Sequence, residues 1–124
     1  MGSSVRSLSP EHAVIEARFF GRVTHQDLDD AFGKCLEFAL AQDVWNLMAD
    51  CSDLVWSVEM SDLKEFVEGL SALGVKDRFR EALVQPTDLT ARVYVNFWET
   101  AGVNRGLDMR TFPTRDDALA WLDS

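Results

Sequence analysis

The chain is poor in the residues that small proteins use for covalent or metal staples. It has only two cysteines, Cys35 and Cys51, and two histidines, His12 and His25, among 124 residues. That is too few for a secreted disulfide framework, and no CxxC or Cys/His spacing suggests zinc. Basic residues are also scarce, 12 against 21 acidic ones for a net charge of −9. Such a field repels phosphate backbones and anionic headgroups, which excludes nucleic-acid binding and polybasic membrane docking. No apolar run reaches the roughly 18 residues of a membrane span. A glycine-rich dinucleotide fingerprint is missing after every candidate strand. The first six residues carry no apolar leader segment, and Arg6 stands where a myristoylation signal needs Ser or Thr, so the expected setting is cytoplasmic.

What is present suffices for one domain over residues 1–124. With 47% hydrophobic and 27% charged residues, a chain of this length buries roughly two thirds of its unfolded surface and needs no staple. Residues 5–8 and 13–20 flank the polar break Ser9-Pro10-Glu11-His12 and read as a hairpin. In the second run Ala13, Ile15, Ala17 and Phe19 share one face, while Val14, Glu16, Arg18 and Phe20 share the other. Thr24-His25-Gln26-Asp27 resembles a capping box, and Leu28, Ala31, Phe32, Cys35, Leu36, Ala39 and Leu40 then form a helical stripe ending near Gln42. Residues 44–50 suit a covered strand, followed by a loop over 51–60.

A second helix is expected from Ser61, through Leu63, Phe66, Val67, Leu70 and Leu73, with Gly74 as its C-cap. Residues 79–85, closed by Pro86, suit another core strand, although Arg80 and Glu81 sit oddly at its start. Asp88 is placed to cap a third helix with Leu89, Val93, Phe97 and Ala101 inward and Tyr94 and Trp98 on the opposite side. Val93, Val95 and Phe97 also alternate as a strand would. Residues 107–112 read as a last strand, and Thr114 caps a last helix carrying Ala118, Leu119, Trp121 and Leu122. The sum is an α/β fold: a mixed, mostly parallel sheet of about five strands that starts with an antiparallel hairpin, and about four helices.

Three blocks in this order resemble the STAS-like family (sporulation anti-sigma-factor antagonist-like), in particular its small stand-alone bacterial branch. They are Phe20-Gly21-Arg22-Val23-Thr24, Asp50-Cys51-Ser52, and Phe112-Pro113-Thr114-Arg115-Asp116-Asp117-Ala118-Leu119-Ala120-Trp121-Leu122, and the likeness covers nearly the whole chain. It implies a non-enzymatic domain that binds either a protein partner under phosphorylation control or a small apolar ligand. Phosphorylated members carry an Asp-Ser pair at the start of the second helix, and Trp56-Ser57-Val58-Glu59-Met60-Ser61 has none. Ser57 and Ser61 remain as acceptors, with Glu59 and Asp62 set to repel added phosphate.

The 51–60 stretch is too apolar for an ordinary loop, since Leu54, Val55, Trp56, Val58 and Met60 all favour burial. It packs on the body, covers a cavity or meets a partner. One reading is a pocket for a small apolar ligand or lipid, lined by Trp56, Met60, Phe66, Tyr94 and Trp98, with Asp50 and Ser52 at a polar end. Asp50 and Ser52 serve equally well to cap the local turn. The other reading is a regulatory interaction module that uses this edge for a protein partner or a homodimer. The two histidines and the first-turn acids Asp27, Asp29, Asp30, Asp116 and Asp117 form no catalytic set, and no metal or cofactor is expected. A Cys51 without a nearby base reads as inert.

Overall fold

The computed structural model describes residues 2–124. Its elements are β1 (Gly2–Ser7), β2 (Ile15–Arg22), α1 (His25–Gln42), β3 (Asn46–Val55), α2 (Met60–Ala72), β4 (Arg80–Val84), α3 (Leu89–Asn104), β5 (Asp108–Phe112) and α4 (Arg115–Leu122). The five strands lie in sequence order, β1 antiparallel to β2 and every later pair parallel. The mixed α/β sheet with four helices expected from the sequence is the one observed.

The helices start where short polar side chains meet orphan amides. Thr24 Oγ1 accepts from the Asp27 N–H at 3.1 Å while Asp27 Oδ2 accepts from the Thr24 N–H at 2.9 Å, a reciprocal capping box. Thr114 accepts from the Asp117 N–H at 3.2 Å and Asp88 from the Ala91 N–H at 2.8 Å.

Strand alternation sorts the core into two faces. Ala17, Ala49, Cys51, Glu81 and Leu83 turn toward α1, α2 and α3, whereas Met48, Ala82 and Val84 turn toward α4, where they meet Ala118 and Leu122. Glu16 also points to the α4 face. It is 4% exposed, and Arg6 Nε and Arg115 Nε each donate to one of its oxygens at 2.8 Å. Burial pushes its carboxyl up, but the hydrogen bonds and charges of Arg115 and Arg6 outweigh that and hold it below the usual carboxylate range.

Two expectations are corrected. Most of the 51–60 stretch is not loop, because β3 runs on to Val55 and pairs Asp53, Leu54 and Val55 with Phe20, Gly21 and Arg22 of β2. A register irregularity at Arg18/Phe20 breaks the alternation there, and that break is what made the segment read as irregular. Only residues 56–59 link β3 to α2.

The second correction concerns α3, which is a helix but faces the other way. Ala91, Val95 and Gly102 are buried, while Leu89 and Val93 are 73% and 55% exposed. Small residues win the inner face because α3 lies close on β5: a Cβ on Gly102 would fall 2.2 Å from Met109 Sδ. On α1 the inward stripe holds as far as Ala39, but Leu40 is 68% exposed.

The Glu16 cluster predicts that Arg115→Met lowers stability by about 1.5–3 kcal/mol at neutral pH, the worth of a hydrogen bond to a buried charge. A carboxylate with a depressed native pKa gives its stability above its unfolded pKa and loses it as pH falls through the native one. The deficit of the variant, measured by urea unfolding, should therefore shrink in acid.

Candidate functional site

A cavity of about 130 Å³ lies between the sheet and the helices α1 to α3. It exists because the three helices divide their support. α1 packs on β1 and β2 and α3 on β5, while α2 leans on α3 and has little direct contact with the sheet. The seam between α1 and α2 is bridged by rings instead. Phe66 of α2 lies 6.0 Å from Phe32 and 5.2 Å from His25 of α1, and His25 Nδ1 is 3.2 Å from Asp62 Oδ1.

At the carboxyl edge of the sheet Trp56 stacks on Tyr94, with centroids 4.6 Å apart and planes 14° from parallel. The Trp56 Nε1–H donates to the Val58 carbonyl, which fixes the ring. Trp98 follows Tyr94 by one helical turn and reaches the cavity too. Of the seven residues expected at a site, Trp56, Phe66, Tyr94 and Trp98 are brought together around this cavity.

The other three lie elsewhere. Asp50 is on the opposite face of the sheet, in a polar cleft with Ser4, Arg6, Glu16, Arg18 and Arg115. It accepts from the Ser52 N–H at 3.1 Å and from the Ser52 hydroxyl at 2.7 Å, so the pair is engaged within β3 beside the register irregularity, and no turn follows it there. Met60 begins α2, is 37% exposed and does not line the cavity. The Ser57 hydroxyl is engaged by the Val23 carbonyl, and Ser61 sits in the first turn of α2 beside Asp62.

The residue that sequence reasoning missed is Glu81. It is 3% exposed and projects from β4 into the cavity, with Leu47 and Met109 as its register neighbours on the flanking strands. Trp98 Nε1–H donates to its Oε1 at 2.7 Å. Burial lifts this carboxyl to about 7, against the downward pull of the Trp98 hydrogen bond. The available signal was a lone acid ahead of Ala82-Leu83-Val84, in a strand covered on both faces.

The two free thiols also line the cavity. Burial, and then the charge of Glu81, push Cys35 up to about 12; Cys51 is raised by burial and by the charges of Glu81 and Asp50. Both shifts disfavour the thiolate, the nucleophilic form, at neutral pH. Among the described residues no three His, Cys, Asp or Glu side chains are grouped to hold a metal, and no helix is long and apolar enough to cross a membrane.

A carboxyl whose native pKa is raised favours the folded state below its unfolded value, near 4.5, and loses that contribution as pH rises through about 7. Glu81→Gln should therefore melt higher than the natural sequence above neutrality, and the gap should close in acid. Melting curves of the two proteins across pH test this.

No protein-family profile matches the chain, and no curated protein sequence does. Solved structures do match. The anti-sigma factor antagonist SpoIIAA in its unphosphorylated form is 14% identical with a TM-score of 0.60, covering 97% of this chain and 96% of its own. An uncharacterised protein of the DUF3478 family from Shewanella loihica PV-4, described as having a SpoIIAA-like fold, is 18% identical with a TM-score of 0.60, covering 98% of this chain and 92% of its own. With the strand order, the initial hairpin and the four helices all in place, the chain has the SpoIIAA-like fold, the one that its STAS-like sequence blocks imply.

Proposed function

We propose that this chain is a single, non-enzymatic, regulatory STAS-like domain that binds a small apolar ligand between its sheet and helices α1 to α3. The observation that carries the reading is the cavity itself. Apart from Glu81, Asn46 and the two thiols it is walled by aliphatic and aromatic side chains, with Trp56 and Tyr94 stacked at one end and Phe32 and Phe66 meeting at another. Its volume of about 130 Å³ is close to the roughly 150 Å³ apolar void that stays dry and admits benzene. The ligand is then a compact molecule of benzene-like size, and a full lipid chain would need the α1–α2 seam to part. Two unpaired thiols suit a reducing, cytoplasmic setting.

Occupancy provides the regulatory signal. A filled cavity props the Phe32–Phe66 bridge and the Trp56–Tyr94 stack, and both reach the surface that a partner would read. Toluene at saturating concentration should raise the melting temperature and shift tryptophan emission. Ala49→Leu, which fills the void from the sheet side, should abolish both responses while the far-ultraviolet circular dichroism stays unchanged. Flat melting and emission across small apolar molecules would remove the basis of this reading.

A second reading, a protein-partner or homodimer surface, is favoured by one further observation. Val55, Met60, Leu89 and Val93 are all exposed. Val55 adjoins Trp56 and Val93 adjoins Tyr94, the two stacked rings, so these apolar side chains share the rim of the same edge. Replacing Leu89 and Val93 together by Asp should abolish any concentration-dependent self-association seen by analytical ultracentrifugation without lowering the melting temperature.

A further inference from the structure

The sheet buries Glu16 and, less deeply, Asp50 on the α4 face and Glu81 on the other, and the two glutamates are treated differently. Glu16 has two arginines. Glu81, just as deeply buried, has one tryptophan N–H on Oε1, and its Oε2 has no protein partner among the described residues. Every sealed side-chain nitrogen or oxygen among those residues is hydrogen-bonded, so this second oxygen is not sealed in packed protein, and the cavity is what Glu81 lines.

Nothing around it offers a positive charge. From α1 the titratable group sharing the cavity with Glu81 is Cys35, from β3 it is Cys51, and from α3 it is Tyr94, with the uncharged Trp98 indole beside it. α2 contributes only apolar side chains such as Leu63, Phe66 and Leu70, and Met109 of β5 is apolar as well. Among the described residues no Lys, Arg or His lines the cavity. An ionised acid in such a place is costly unless it takes a proton or something that enters the void completes it.

Resting on the ligand reading above, we infer that the cavity selects a small apolar amine, whose ammonium group donates to the free oxygen of Glu81 while its apolar body fills the space beside Trp98. The pairing is a charge-assisted N–H···O bond in a water-poor site, where such bonds are strongest. The aromatic walls add favourable ring faces for a cation. An apolar acid of the same size is rejected, because a second carboxylate beside Glu81 would leave two acids competing for one proton.

The test compares toluene, benzylamine and benzoate, three probes of one shape, by calorimetric titration. At about pH 8 benzylamine should bind at least about tenfold more tightly than toluene, and benzoate should not bind. Glu81→Gln keeps an oxygen for the Trp98 N–H; it should bring benzylamine down to the level of toluene while toluene binding persists, which also certifies that the variant is folded. In the natural sequence benzylamine affinity should fall as the pH drops below about 7 and Glu81 takes a proton, with toluene affinity flat. That profile decides the matter without any substitution. If toluene binds and benzylamine is no tighter, or is tighter but indifferent to Glu81→Gln and to pH, the amine inference is overturned and the apolar-ligand reading stands. If neither toluene nor benzylamine binds, both fall together.

Discussion

A carboxyl group withdrawn from water must be paired, hydrogen-bonded or neutralised, and the two buried glutamates of this protein meet that demand in different ways. On one face Glu16 is answered by Arg6 from β1 and Arg115 from α4, so a single side chain of β2 joins the first strand to the last helix. The cluster ties together segments 99 positions apart and leaves the polar cleft around it electrostatically satisfied. On the other face Glu81 has only Trp98. The first arrangement is a structural joint, the second an open valence.

Much of the fold can be read in the sequence because local signals agree with the tertiary outcome. Thr24, Asp88 and Thr114 cap helices where their spacing to the next acid or amide says they should, and the alternation of Ile15, Glu16, Ala17 and Arg18 assigns faces correctly. What fails does so for physical reasons. The end of β3 is hidden by the register irregularity opposite Arg18 and Phe20. The inner face of α3 is hidden because proximity to β5 rewards the smallest residues, Ala91 and Gly102, rather than the most apolar ones.

The site divides along the same line. Bulky rings announce themselves, and Trp56, Phe66, Tyr94 and Trp98 do share one cavity. Polar residues are harder, since their role depends on which way a strand faces. Asp50 and Ser52 differ from Cys51 by a single position, yet Cys51 looks into the cavity and Asp50 away from it. Glu81 reads in the sequence as a blemish in a strand, whereas in three dimensions it is the one ionisable acid in an apolar chamber. SpoIIAA, which shares the fold, is described as existing in an unphosphorylated form. In this chain the Ser57 hydroxyl donates to the Val23 carbonyl and Ser61 lies beside Asp62 in the first turn of α2.

The loose seating of α2 has a further consequence. Its link to α1 runs through the rings of His25, Phe32 and Phe66 and the contact of His25 Nδ1 with Asp62 Oδ1. Were a small molecule to enter here as proposed, the motion asked for is rotation of these side chains, a faster event than any parting of the strands below.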